Sequence, residues 1–150
     1  MNLEELVKFA AKAKVNAYAS DTDPIFKEDK KLFFYNSGDW EYIDAYHDSE
    51  FAFHGTEVIK YKGKVVWKMS YHGEVLVKDR HVMLETYKVV RNALKQPNPK
   101  LPLRGPRRFS EHGLEYFFET AGDMTNFTGR EEVHKDEQFL YKLNCIGGIL

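Results

Sequence analysis

Two stretches of this chain match each other at a fixed distance, and no other feature constrains the fold as strongly. Glu41–Leu76 aligns with Glu115–Leu150 at a constant offset of 74 residues, without a gap. Glu41/Glu115, Tyr42/Tyr116, Phe53/Phe127, Gly55/Gly129, Glu57/Glu131, Lys68/Lys142 and Gly73/Gly147 are identical. Ile59/Val133, Val65/Phe139, Trp67/Tyr141 and Met69/Leu143 are conservative. An ungapped register with a shared Phe-x-Gly-x-Glu element predicts two copies of one supersecondary unit, spanning about 1–76 and 77–150, related by a pseudo-twofold axis.

The residue periods say what that unit is. Asn2 followed by Glu5 reads as a helix start, and Leu3, Leu6, Val7, Ala10 and Ala13 recur at helical spacing over about 3–14. Residues 20–30 read as a charged loop. From Leu32 the period falls to two: Leu32–Asn36, Trp40–His47, Phe51–Tyr61 and Lys64–Leu76 read as strands, with turns at Ser37-Gly38-Asp39 and Lys62-Gly63. Val65, Trp67, Met69 and Tyr71 should share one face of the last of these. His81–Gln96 returns to helical spacing through Val82, Leu84, Tyr87, Val90, Ala93 and Leu94, and Pro97 and Pro99 stop it. After the proline-rich stretch 97–106, Arg107–Ser110, Leu114–Thr120, Asn126–His134 and Phe139–Ile146 read as strands. The expectation is a single α+β domain, 1–150, made of two α-βββ-like repeats with antiparallel sheet. The two sheets either join edge to edge or face each other.

Composition narrows the setting. Hydrophobic residues at 43% suffice for a packed core. A net charge of −1 argues against a surface built for nucleic acid or anionic lipid. A single cysteine, Cys145, excludes an intramolecular disulfide and a Cys-based zinc site. With no secretory leader pattern and no apolar run long enough to span a bilayer, the sequence reads as cytoplasmic, without membrane partners.

Trp40-Glu41-Tyr42-Ile43-Asp44-Ala45-Tyr46, then Phe53-His54-Gly55-Thr56-Glu57-Val58, then Val66-Trp67-Lys68-Met69-Ser70-Tyr71-His72-Gly73 together resemble the DUF5680 family, a bacterial and archaeal domain of unknown function. Its pattern runs Tyr-x-Asp, Phe-x-Gly-x-Glu-Val, Trp-x-Met-x-Tyr-x-Gly, and Gly147-Gly148 fits a similar ending. Members occur alone or behind a helix-turn-helix DNA-binding domain, so the resemblance implies a regulatory or ligand-sensing role. The second repeat has Phe118 and Cys145 where the first has Asp44 and Tyr71, so a site using that pair is asymmetric.

The candidate chemistry centres on Glu57 and Glu131. Strand alternation puts Glu57 on the face of Phe53 and Gly55, where a carboxylate needs a cation, a donor or a proton. They read as a ligand anchor or as acid/base groups; the alternative is structural ion pairing, with Lys68 or Lys142. Trp40, Tyr42, Tyr46, Trp67 and Tyr71, with Asp44, could line a pocket for a flat or apolar ligand, or simply form the sheet's core. His54 and His72 fall as neighbours on one hairpin, but no ligand motif accompanies them and no metal or cofactor is expected. Arg104, Arg107 and Arg108 form a basic cluster that reads as a solvated loop rather than a phosphate contact.

The leading functional expectation is a small-molecule-binding or regulatory sensor-type domain, its pocket between the repeats with Glu57 or Glu131 as anchor. The alternatives are a small enzyme using the strand carboxylates for acid/base chemistry, and a protein-interaction module that forms a homodimer.

Overall fold

The computed structural model describes residues 2–150. Helix α1 (Leu3–Asn16) is followed by strands β1 (Ile25–Lys27), β2 (Lys30–Ser37), β3 (Trp40–Asp48), β4 (Ala52–Tyr61) and β5 (Lys64–Val75). Helix α2 (Arg80–Leu94) then precedes β6 (Arg108–Glu111), β7 (Leu114–Asp123), β8 (Asn126–Lys135) and β9 (Gln138–Ile149). The α+β expectation holds. The strands form one nine-stranded antiparallel sheet in the order β1-β2-β3-β4-β5-β9-β8-β7-β6. Of the two arrangements expected from sequence, the edge-to-edge join is the one present. It is made by β5 against β9, from Trp67↔Ile149 to Val75↔Tyr141.

Both helices are set by their first turns. Asn2 accepts a hydrogen bond from the Glu4 N–H at 3.0 Å, and Asp79 accepts one from the Val82 N–H at 3.0 Å. α1 buries Leu6, Phe9, Ala10, Ala13 and also Lys14, which shares the apolar stripe. α2 is rotated from the expected face. Met83, Thr86, Val89, Val90, Ala93 and Leu94 are buried, while Leu84 is 56% exposed. The tertiary contact overrides the apolar count here, because Thr86 is accommodated by donating its hydroxyl to the Val82 carbonyl at 2.7 Å.

One face of the sheet carries the core. Trp67, Met69, Tyr42, Ile59, Tyr116, Val133, Tyr141 and Leu143 are all at or near zero exposure, beneath α1, α2 and the segment after α2. The opposite face holds Lys68, His72, Thr128, Arg130, Asn144 and Ile146, all exposed. Val65 departs from the expected face and is exposed. The register shifts between Ile59 and Lys60, which pair with Trp67 and Val65, so Val66 is the extra residue and the alternation inverts beyond it. The loop expected at 20–30 contains the short edge strand β1, paired to β2 from Ile25↔Leu32 to Lys27↔Lys30.

The proline-rich stretch is no loose connector. Residues 102–105 are buried, with Leu103 fully so. Gly105 lies flat on Tyr116, whose phenol oxygen accepts its N–H at 3.1 Å. A Cβ there would sit 2.7 Å from that oxygen.

A candidate ligand cleft over a buried charge network

The sheet's covered face brings five charged side chains together. Glu57 of β4 and Glu131 of β8 are 1% and 0% exposed, and Asp44 of β3 is 3%. Their cations come from outside the sheet. Lys14 of α1 pairs with Glu57. Arg104, from the segment after α2, chelates Glu131 through Nε at 2.9 Å and Nη2 at 2.8 Å. Tyr116 and Tyr141 also donate to Glu131, at 2.5 and 2.8 Å. Burial opposes the charge on Arg104, yet Glu131 and the flanking phenols hold the guanidinium firmly protonated. Burial pulls the Lys14 ammonium down, against the pull of Glu57.

This corrects two readings of the sequence. Lys68 and Lys142 are not the partners of the strand glutamates. Both lie on the open face, where Lys142 meets Glu74 at 2.7 Å. Arg104 does not belong to a solvated basic cluster. It is 5% exposed, whereas Arg107 and Arg108 are exposed as expected. The two glutamates do converge: Arg104 Nη1 lies 3.8 Å from Glu57 Oε1 while the same side chain holds Glu131.

Asp44 is the carboxylate without a cation of its own. It stands directly opposite Glu57 in the β3–β4 register and accepts a 2.6 Å hydrogen bond from Tyr71 at Oδ1. Burial, then the adjacent Glu57, pushes its carboxyl up to about 7. Burial likewise raises the phenols of Tyr42, Tyr71, Tyr116 and Tyr141 well above the ordinary tyrosine range.

Above Asp44 opens a cleft of about 290 Å³. Its floor is Asp44, Tyr71 and Arg104, and Lys31, Tyr46, Asp48, Ser49 and Phe53 rise from the strands and the β3–β4 turn. Tyr18, just beyond α1, and Leu84, Tyr87 and Arg91 of α2 close it from above. Two glycines give the rings their room. A Cβ on Gly55 would meet Tyr71 Oη at 2.5 Å and Tyr46 Cβ at 2.6 Å, and one on Gly73 would strike the Phe53 ring. Among the described residues no buried side-chain nitrogen or oxygen lacks a hydrogen-bond partner. Among the described residues Asp44 Oδ2 has no hydrogen-bond partner and Arg104 Nη1 has only its 3.8 Å approach to Glu57 Oε1, and both residues line the cleft.

Of the residues singled out from sequence, Asp44, Tyr46 and Tyr71 line the cleft. Glu57, Glu131 and Tyr42 lie in the network beneath it. Trp67 belongs to the core, donating its indole N–H to the Met124 carbonyl at 3.0 Å. Lys14, Tyr18, Tyr87, Arg91 and Arg104 were missed. Lys14 alone had a signal, since it continues the Leu6–Ala10–Ala13 stripe of α1. His54 and His72 are cross-strand neighbours, ring centroids 6.0 Å apart, on the open face; Asp44 is on the other face. No group of three or more potential metal ligands occurs among the described residues. Cys145 is buried, and its thiol is pushed up to about 12 by that burial. No described helix is long and apolar enough to cross a membrane.

Comparison with known proteins gives one result. No curated protein and no solved structure matches the chain. The family model described as "Domain of unknown function (DUF5680)" matches residues 44–150, a span that opens on Asp44 and contains Glu57, Tyr71, Arg104 and Glu131. The chain belongs to the DUF5680 family.

Proposed function

We propose that this chain is a small-molecule-binding, regulator-type domain whose ligand occupies the cleft above Asp44, Tyr71 and Arg104. The observation that carries this reading is the floor of the cleft, where a carboxyl, Asp44, and a guanidinium, Arg104, both line a concave site under aromatic walls. Charged side chains at the base of a concave, ring-lined site suit a ligand's polar edge. The glutamates act one layer down, holding Arg104 and Lys14 rather than touching the ligand.

A second reading has a specific observation behind it. A carboxyl near neutral pKa inside a cleft suits proton transfer, so a small enzyme would use Asp44, not Glu57 or Glu131, as its acid/base group.

The two halves are read as copies of one unit about a pseudo-twofold axis. The β4–β5 and β8–β9 registers correspond at the 74-residue offset, down to the irregularities at Ile59/Lys60 and Val133/His134. At the seam, Tyr71↔Cys145 is its own counterpart. The cleft has no twin in this scheme, because Phe118 and Cys145 stand for Asp44 and Tyr71.

The test is protein-observed NMR against a fragment set of aromatic and aliphatic acids, amines and neutral compounds. Binders should shift amides of Tyr46, Phe53, Tyr87 and Arg91, and Leu84→Trp at the mouth should abolish those shifts. Shifts confined to the open face, or unchanged by Leu84→Trp, overturn the cleft as the site.

A further inference from the structure

We propose that the cleft takes a small planar aromatic carboxylate, held between Arg91 and Arg104, and that a proton enters with it. This rests on the cleft being the ligand site and names the chemistry it selects.

The charges lining the cleft set the sign. Lys31 is matched by Asp48 at 2.5 Å, and the charge of Arg104 is matched by Glu131. Arg91 has no carboxylate partner among the described residues and rests over the Tyr18 ring, 5.6 Å from its centroid. An anionic head group therefore completes Arg91, with Arg104, held by Glu131 and 3.8 Å from Glu57, as the second guanidinium of the cleft lining. A cation would face both guanidiniums across a low-dielectric floor. The free donors are few and the Asp44 carboxyl is close, so a monoanion fits and a dianion such as phosphate does not.

The walls set the shape. Tyr18, Tyr46, Phe53, Tyr71 and Tyr87 present five rings around about 290 Å³. That is the lower end of ligand-pocket volumes and holds one or two fused rings. Such rings prefer a flat apolar guest, stacked or edge-on.

The proton follows from the position of Asp44. It is faced by Glu57 from β4, Tyr71 from β5, Lys14 from α1, Arg104 from the connector and Tyr18 beyond α1. Tyr42 and Tyr46 flank it on its own strand, the uncharged Phe33 pairs with it from β2, and Tyr87 and Arg91 of α2 close the far side. The two cations nearest the floor are already engaged by glutamates. A second anion entering the cleft favours the protonated form of Asp44, which can then donate from Oδ2 to the ligand. Free Asp44 titrates near neutrality and ligation raises it further. Binding therefore takes up a proton at pH 7–8, and affinity falls as pH rises through that interval.

The probes are 2-naphthoate, 2-naphthamide and 2-(aminomethyl)naphthalene, titrated into the full chain at pH 6, 7 and 8 with NMR readout of the cleft amides. The naphthoate should bind about tenfold more tightly than the amide or the amine, and Arg91→Gln, at an exposed position, should remove about that factor. Its affinity should drop several-fold between pH 7 and 8, and Asp44→Asn should hold the pH 6 affinity across the range. An amide or amine that binds the cleft as well as the naphthoate overturns the anion assignment and leaves the cleft standing. A naphthoate affinity flat with pH in the unmodified protein overturns the proton. If none of the three moves a cleft amide at millimolar concentration, the planar aromatic carboxylate falls, and the wider fragment set decides whether the cleft falls with it.

Discussion

Asp44 and Glu57 are cross-strand partners on the buried face of the sheet, and only Glu57 has a cation of its own. The Asp44 carboxyl accordingly titrates about 7 in the folded chain, against roughly 4 when unfolded. A raised folded value favours the folded state while the group is protonated, and the benefit is lost as pH climbs from about 4 to 7. The stability of Asp44→Asn relative to the parent should therefore rise from pH 5 to pH 8, by about 1–3 kcal/mol. Urea unfolding at the two pH values checks this; equal differences at both would mean that Asp44 is charged throughout.

Glu131 receives four donations, two from Arg104 and one each from Tyr116 and Tyr141. Glu131→Gln leaves a buried guanidinium uncompensated and should cost about 3–5 kcal/mol. Glu57→Gln should fall in the same range by orphaning Lys14. Adding Lys14→Met to it should recover much of that loss, because the unpaired charge goes with the lysine. A double variant no more stable than Glu57→Gln would show that Lys14 contributes by packing alone.

Gly55→Ala drives a methyl into Tyr71 and Tyr46, whereas Gly129→Ala meets Cys145 and Phe118 on the other half of the sheet. Each should cost about 1–3 kcal/mol. Only the first should displace the Tyr71–Asp44 hydrogen bond and disturb the cleft. Comparing amide shifts around Asp44 in the two variants separates a general packing penalty from damage to the floor.

Cys145, with its thiol pushed up to about 12 by burial, should not react with a disulfide reagent in the folded state. Full labelling is expected only in denaturant. Labelling at the rate of an exposed thiol would mean that the β5–β9 seam opens readily.

The strands were legible because their signals are local. Alternation and Gly-containing turns lie within a few residues of the feature they specify, and Lys64–Val75 emerges nearly as expected. Asp44, Tyr46 and Tyr71 were legible as one set because they alternate correctly along β3 and β5, the strands on either side of β4. The cations were not. Lys14 meets Glu57 across 43 residues of chain, and Arg104 meets Glu131 across 27. Arg104 read as a solvated side chain, Lys14 showed only its place on the α1 stripe and not its partner, and only the completed sheet supplies the glutamates they meet. The α2 face was misjudged for a related reason: Leu84 is apolar, but it borders an open cleft rather than the core.

The seam between β5 and β9 also governs the order in which the molecule can be assembled. Each is a twelve-residue strand, and they meet only after α2 and three further strands have been made. In the interval β5 carries a long, bare edge with apolar Trp67, Met69 and Tyr71 on one side. Such an edge is a template for a foreign strand, and its native partner is distant along the chain, which slows closure. Until β9 is made, the first half alone therefore presents an edge that any strand of suitable register can pair with, and closing the β5–β9 seam is the step that removes it.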